Sequence, residues 1–254
     1  MFKIILCFLS GIAAGLGTGF AGMSAAAAIS PMLITFLGMP AYDAVGIALA
    51  SDVLASGVSA YTYKKNKNLD IKNGIVILIT VLIFTAIGSL IASHVPNTTM
   101  GNFSVIMTLI LGIKFIIKPV MNTSKNLDSL SKSRRIISSI LCGTLIGFIC
   151  GFVGAGGGMM MLLVLTTVLG YELKTAVGTS VFVMAFTALT GAISHFAIGG
   201  LPDLTCLITC VLSTLLWARI AAKIANKSDA LTLNRITGII LIIISISILA
   251  VELF

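Results

Sequence analysis

Apolar residues fall in long runs joined by short polar connections. The runs cover roughly 4–37, 44–62, 75–92, 101–120, 136–169, 175–198, 204–222 and 233–251. Most come close to the ~20 residues with which an α-helix spans a bilayer. None shows the ~10-residue alternation of a transmembrane barrel strand. The pattern predicts an all-α polytopic membrane protein, with residues 1–254 forming one transmembrane domain. The first and fifth runs exceed a single span and are broken by glycines. Met121 to Arg135 is the most polar stretch, so 121–135 is expected to link a first unit at 1–120 to a second at 136–254.

The two units match one another. A shift of 132 positions lays Gly11, Gly15, Gly19, Phe20 and Gly22 on Gly143, Gly147, Gly151, Phe152 and Gly154. The same shift lays Leu33, Thr35, Leu37 and Gly38 on Leu165, Thr167, Leu169 and Gly170, and Ala44-Val45-Gly46 on Ala176-Val177-Gly178. Ungapped agreement of this kind predicts duplication of a four-segment unit.

Composition agrees with the membrane reading and charge adds a topology. The chain is 58% hydrophobic and only 9% charged, against roughly 25% charged in a typical soluble domain. The net charge of +8 does not imply a nucleic-acid partner, because Lys and Arg gather in short loops, as the positive-inside rule describes. Lys64, Lys65, Lys67 and Lys72 follow the second run. Lys118, Lys125, Lys132, Arg134 and Arg135 join the fourth and fifth. Arg219, Lys223, Lys227 and Arg235 surround the connection from seventh to eighth. If runs one and five are re-entrant, each returning to the side it came from, all three basic connections are cytoplasmic and the two units are inverted. Lys3 opposes that arrangement, and eight plain spans with an imperfect charge bias is the alternative. The leading run, from Lys3 to about Leu37, is longer than a signal-peptide core and is expected to be retained.

Few residues could carry chemistry. No charged residue occurs between Arg135 and Glu172. Within that stretch Gly143, Gly147 and Gly151 recur every fourth position, a spacing that lets helices pack closely in lipid. Gly154 and the triplet Gly156-Gly157-Gly158 differ, because consecutive glycines weaken a helix by roughly 1 kcal/mol each. A break there frees backbone N–H groups, and the broken helices of transporters direct such groups at anions near the midplane. Thr179 and Ser180 could add hydroxyl ligands, or could bond back to their own helix. Asp52 lies near the middle of the second run, where a charge normally faces a pathway or a partner. It is the candidate for a coupling proton or cation, and Lys114 is its candidate structural partner. Its counterpart at the 132 offset is Met184. His195 lies opposite Tyr63 in the repeat and is expected to be interfacial and solvated. The five cysteines, Cys7, Cys142, Cys150, Cys206 and Cys210, lie in or beside apolar runs and read as packing residues. Their spacing suits no metal, and no metal or cofactor is expected.

The pattern Gly147-Phe-Ile-Cys-Gly151-Phe-Val-Gly154-Ala-Gly-Gly-Gly158, followed by Ala176-Val177-Gly178-Thr179-Ser180, resembles the TauE/SafE family of sulfite exporters and sulfonate permeases. The copy at Gly15 to Gly22, then Ala44-Val45-Gly46, resembles the same unit, and the likeness covers nearly the whole chain. It implies secondary transport of sulfite or another small sulfur-containing or organic anion across a bacterial-type inner membrane, by a multi-pass protein of the cell membrane. The first copy departs from the pattern. It has Ser24-Ala25-Ala26 in place of the glycine triplet, Ile47-Ala48 in place of Thr-Ser, and Pro31 where the second copy has Leu163. A symmetric anion site is therefore not expected.

The alternative reading is a proton- or cation-coupled carrier of an unrelated metabolite, with Asp52 in the substrate site. An intramembrane enzyme would need a nucleophile and base, or two carboxylates sharing a site, and neither set is present in the runs. Expected partners are a small anion, the bilayer and a coupling proton or cation. A homo-oligomer is compatible with this reading.

Overall fold

The computed structural model describes residues 1–95, 132–153, 157–163, 165–166 and 171–229, with scattered positions between 106 and 119 and between 231 and 246. The runs at 101–120 and 233–251 and the linker at 121–135 lie largely outside the described residues. Eight helices are described in order: α1 (Phe2–Ala21), α2 (Ala26–Leu37), α3 (Ala41–Lys65), α4 (Ile71–Ala92), α5 (Lys132–Val153), α6 (Gly157–Leu163), α7 (Leu173–Gly199) and α8 (Leu204–Ala225). No strand occurs among the described residues. The helices α1, α3, α7 and α8 are each long and apolar enough to cross a bilayer.

The surface is more apolar than a soluble protein could sustain. Ile71, Ile75, Ile79, Ile83 and Ile87 form an exposed stripe along α4, and Ile208, Leu212 and Leu216 form another on α8. The interior holds small residues and hydroxyls instead. Thr18, Ser51, Thr85, Thr187 and Thr214 are buried, and each donates to the carbonyl four residues earlier. This back-bonding satisfies a buried hydroxyl without a second helix.

The glycine ladder packs helices together. Gly11, Gly15 and Gly19 of α1 lie against Ser213, Thr214 and Ala218 of α8, where an added Cβ would come within 2.5–2.7 Å of the nearest atom. Gly143, Gly147 and Gly151 of α5 lie in the same way against Thr80, Val81 and Thr85 of α4. Residue numbers rise together in both pairs, so α1 runs parallel to α8 and α5 parallel to α4. In contrast, α3 and α7 are antiparallel: Gly46 meets Phe196, Leu49 meets Gly191 and Tyr63 meets Gly178.

These directions fix two sides. One side carries the ends of α3 and α8, with Lys64, Lys65, Lys223 and Lys227, and the starts of α4, α5 and α7. Across it, the Lys174 ammonium donates to Asn226 O at 2.8 Å and Asn68 donates to the Asn226 side chain at 3.0 Å. The other side carries the starts of α1, α3 and α8. There Lys3 forms an ion pair with Asp203, whose Oδ1 also caps α8 by accepting from the Cys206 amide at 3.0 Å. The cation that opposed the charge-based topology is thus neutralised by a carboxylate. Just inside, Cys7 and Cys206 pack with their sulfurs 3.1 Å apart. All five cysteines are free thiols, in keeping with a packing role.

Both long runs double back. Helix α1 ends beside Tyr63, near the basic side, yet α3 begins on the opposite side, so α2 carries the chain back. Helix α5 ends near His195, on the opposite side, yet α7 begins on the basic side, so the chain returns between Val153 and Leu173.

Candidate functional site

The first reversal is a short, well-defined break. Gly22 ends α1 with φ 64° and ψ 31°. Its amide donates to Thr18 O at 3.0 Å, and the Met23 amide donates to Gly17 O at 3.3 Å. This Schellman-type ending requires a left-handed residue, which glycine supplies without strain. Ser24 then opens α2: its Oγ accepts from the Ala26 amide at 3.3 Å, and its carbonyl accepts from the Ala27 amide at 3.1 Å.

The second reversal crosses the first. Gly154 and Gly156 lie outside the described residues. Gly158 packs on the backbone of Gly22, Met23 and Ser24 so closely that a Cβ would collide with the Gly22 carbonyl oxygen and the Ser24 nitrogen. Its neighbour Gly157 faces Cys150 and Met184, where a Cβ would come within 3.0 Å of the Cys150 Cβ. Gly22 also rests on the Ser180 hydroxyl, which a Cβ would approach to 2.5 Å. The two broken segments therefore touch inside the protein.

Asp52 lies at this crossing and is fully buried. Ser56, one turn along α3, donates to its Oδ1 at 2.6 Å. The Ser24 hydroxyl and the Ala25 amide, at the start of α2, also face the carboxylate. Its Oδ2 has no close hydrogen-bond partner among the described residues. A carboxylate thus sits over the N-terminal end of α2, where the helix dipole and free amides favour negative charge. Lys114 is not among the groups acting on it, so the pair considered from the sequence is replaced by two serines and an amide.

The hydroxyl candidates separate. Ser180 donates to Val177 O at 2.9 Å, bonding back to its own helix beside Gly22. The Thr179 hydroxyl points away from the crossing and accepts from the Asp70 amide at 3.1 Å. Asp70 in turn accepts from the Tyr171 hydroxyl at 2.9 Å. Thr179 thus anchors the connection between α3 and α4.

His195 corrects an expectation. It is 2% exposed rather than solvated. Its Nε2 lies 3.0 Å from Gly151 O and its Nδ1 lies 3.1 Å from Tyr42 O, and its ring stacks on Tyr42 at 4.1 Å between centroids. The Tyr63 hydroxyl donates to Gly19 O at 3.2 Å. Each side chain therefore holds the carbonyl of the last ladder glycine before a break. The sequence set His195 opposite Tyr63 and Gly151 opposite Gly19, but that shared offset gave no hint that the side chains bond the glycines. Ser24 was noted only as a departure from the glycine triplet, and Ser56 was missed because an isolated serine in an apolar helix carries no pattern.

Comparison with known proteins follows the same outline. The family model of the sulfite exporter TauE/SafE matches residues 7–248. The probable membrane transporter protein MJ0441 of Methanocaldococcus jannaschii is 30% identical, over 93% of this chain and 91% of its own. The probable membrane transporter protein YunE of Bacillus subtilis is 25% identical, over 91% and 89% respectively. No solved structure matches the chain significantly. A family model that takes in both glycine-broken segments, the crossing between them and Asp52 identifies this chain as a member of the TauE/SafE family.

Proposed function

We propose that the protein is a secondary transporter that moves a small anion, sulfite or an organosulfonate or similar sulfur-containing anion, across the cell membrane. The observation that carries this reading is the contact of two broken segments at a buried carboxylate. Transporters built from repeats bind substrate and coupling ion at such breaks near the midplane. The anion is assigned to the second glycine-rich segment, Gly154, Gly156, Gly157 and Gly158, with Ser180 beside it; Gly154 and Gly156 lie outside the described residues. Thr179 is left out of this assignment, because its hydroxyl serves the Asp70 amide. Asp52 is assigned the coupling proton or cation, since a carboxylate beside an anion repels it unless neutralised.

Two inverted units are part of the same proposal. Helix bounds repeat at the sequence offset: α1 ends at Ala21 and α5 at Val153, while α3 begins at Ala41 and α7 at Leu173. The first helix of each unit packs along the fourth helix of the other, and the two units begin on opposite sides. With the basic side in the cytoplasm, this arrangement follows the positive-inside rule.

A second reading, a coupled carrier of an unrelated metabolite, is favoured by one observation. Asp52 Oδ2 lacks a close partner and could itself contact substrate. Solute counterflow in proteoliposomes separates the two. Exchange of labelled sulfite or sulfoacetate, competed by the unlabelled compound, is the expected result. Exchange confined to neutral or cationic solutes would establish the second reading and remove the first.

A further inference from the structure

We propose that the groove between α3 and α8 binds an anionic phospholipid of the leaflet on the basic side. The phosphate lies among Lys65, Arg219, Lys223 and Lys227, and an acyl chain follows the helices toward the bilayer centre.

The upper part of the groove is a cavity of about 650 Å³ lined by those four cations together with Tyr61, Thr62 and two asparagines. Among the described residues no carboxylate lines it. The ion pair found among them, Lys3 with Asp203, lies on the other side of the protein, and none of the four cations has an ion-pair partner among the described residues. Four cations converging on one cavity repel each other until an anion joins them, and basic pockets between helices at the cytoplasmic surface take anionic headgroups for this reason.

Deeper along the same two helices the surface turns apolar, with Leu54 of α3 and Leu212 and Leu216 of α8 exposed. A second, apolar cavity of about 530 Å³, formed by α3, α7 and α8, begins at Leu54 and Leu212 and continues into the other half of the protein. On α8 the positions Ile208, Leu212, Leu216, Arg219 and Lys223 form one stripe at helical spacing. On α3, Leu54, Val58, Tyr61 and Lys65 form another. The stripes run parallel and lead from the basic cavity to the edge of the apolar one, although the two cavities share no lining residue. From Leu54 to Lys65 the helix rises roughly 17 Å, close to the ~15 Å hydrocarbon depth of one leaflet. A soluble anion would fill the head of this groove and leave the apolar part empty. A second copy of the chain docked symmetrically on this face would set these cations against their own kind. A phospholipid satisfies both parts.

The test uses the full-length protein, delipidated in neutral detergent and followed by native mass spectrometry and thermal unfolding. Phosphatidylglycerol, chain-matched phosphatidylcholine and glycerol 3-phosphate are added separately. Phosphatidylglycerol should remain bound and raise the unfolding temperature, while the other two do neither. K223Q/K227Q should weaken phosphatidylglycerol binding about tenfold or more. Lys64→Gln, outside the cavity, and K223R/K227R, which keeps the charges, should bind normally. Leu212→Trp should weaken binding with every charge in place. Equal binding of phosphatidylcholine, or full affinity in K223Q/K227Q, would overturn the proposal. So would stabilisation by glycerol 3-phosphate alone, which marks a soluble-anion site, or a dimer that persists in place of bound lipid.

Discussion

His195 and Gly151 meet at 3.0 Å, imidazole nitrogen to carbonyl oxygen, two residues before the end of α5. The other ring nitrogen faces Tyr42 O at 3.1 Å. A ring that donates to both oxygens carries two protons, and a neutral ring serves only one. One side chain on α7 thus ties the end of α5 to the start of α3. His195→Ala removes one of two side chains at this carbonyl, the Ser89 hydroxyl still donating at 3.2 Å, and also the stacking on Tyr42; it should destabilise the protein by about 1–2 kcal/mol. His195→Gln, which keeps a donor, should recover part of that loss. Tyr63→Phe should cost about 1 kcal/mol at the matching contact with Gly19. Unfolding midpoints in detergent give all three values.

The ladder glycines should divide by what they touch. Gly151 lies on the Thr85 carbonyl, and neither backbone can move away. Gly151→Ala should cost about 3 kcal/mol or more through overpacking, and the yield of folded protein should fall. Gly57 on α3 has nothing within 4 Å of an added Cβ. Gly57→Ala should therefore be neutral, or stabilising by up to about 1 kcal/mol, since alanine favours the helix. Parallel expression and thermal unfolding of the two variants tests the contrast.

The Lys3–Asp203 pair gives a pH and salt prediction outside the membrane spans. Lys3 first, and then the Cys206 amide, hold the Asp203 carboxyl below its usual range. A carboxylate depressed on folding stabilises the fold above its unfolded value of about 3.9. That contribution is lost as pH falls through the lower folded value. Side-chain exposure of 42% for Lys3 and 35% for Asp203 keeps the ionic part small and sensitive to salt. Asp203→Asn should keep the helix cap and lose the salt sensitivity, whereas Asp203→Ala should also lose about 1 kcal/mol of capping. Unfolding across pH 3–7 at low and high salt, measured on both variants, separates the cap from the ion pair.

Much of this architecture was legible in apolar periodicity, because lipid demands continuous helices and tolerates breaks only inside protein. The ladder at Gly143, Gly147 and Gly151 announced close packing, and the packing is present against α4. Loop charge alone left two topologies open, re-entrant long runs or eight plain spans, because Lys3 stood against the first. The site was less legible. Asp52 stood out because a buried charge in an apolar run is rare; Ser56 did not, because serine is common in such helices, and Ser24 stood out only as a departure from the glycine triplet. Thr179 and Ser180 are adjacent in sequence yet face different neighbours, since successive helical residues point about 100° apart. His195 looked interfacial from its place near a helix end, and tertiary packing on Tyr42 buried it.

The most direct test of the account compares wild type and Asp52→Asn in proteoliposomes in two modes, with a sulfonate that the wild type exchanges. One mode is uptake driven by an imposed proton or cation gradient, and the other is counterflow with no gradient. If Asp52 carries the coupling ion at an anion site formed by the two breaks, the variant should lose gradient-driven accumulation and keep counterflow. Accumulation that survives in the variant with unchanged dependence on the gradient would contradict the account.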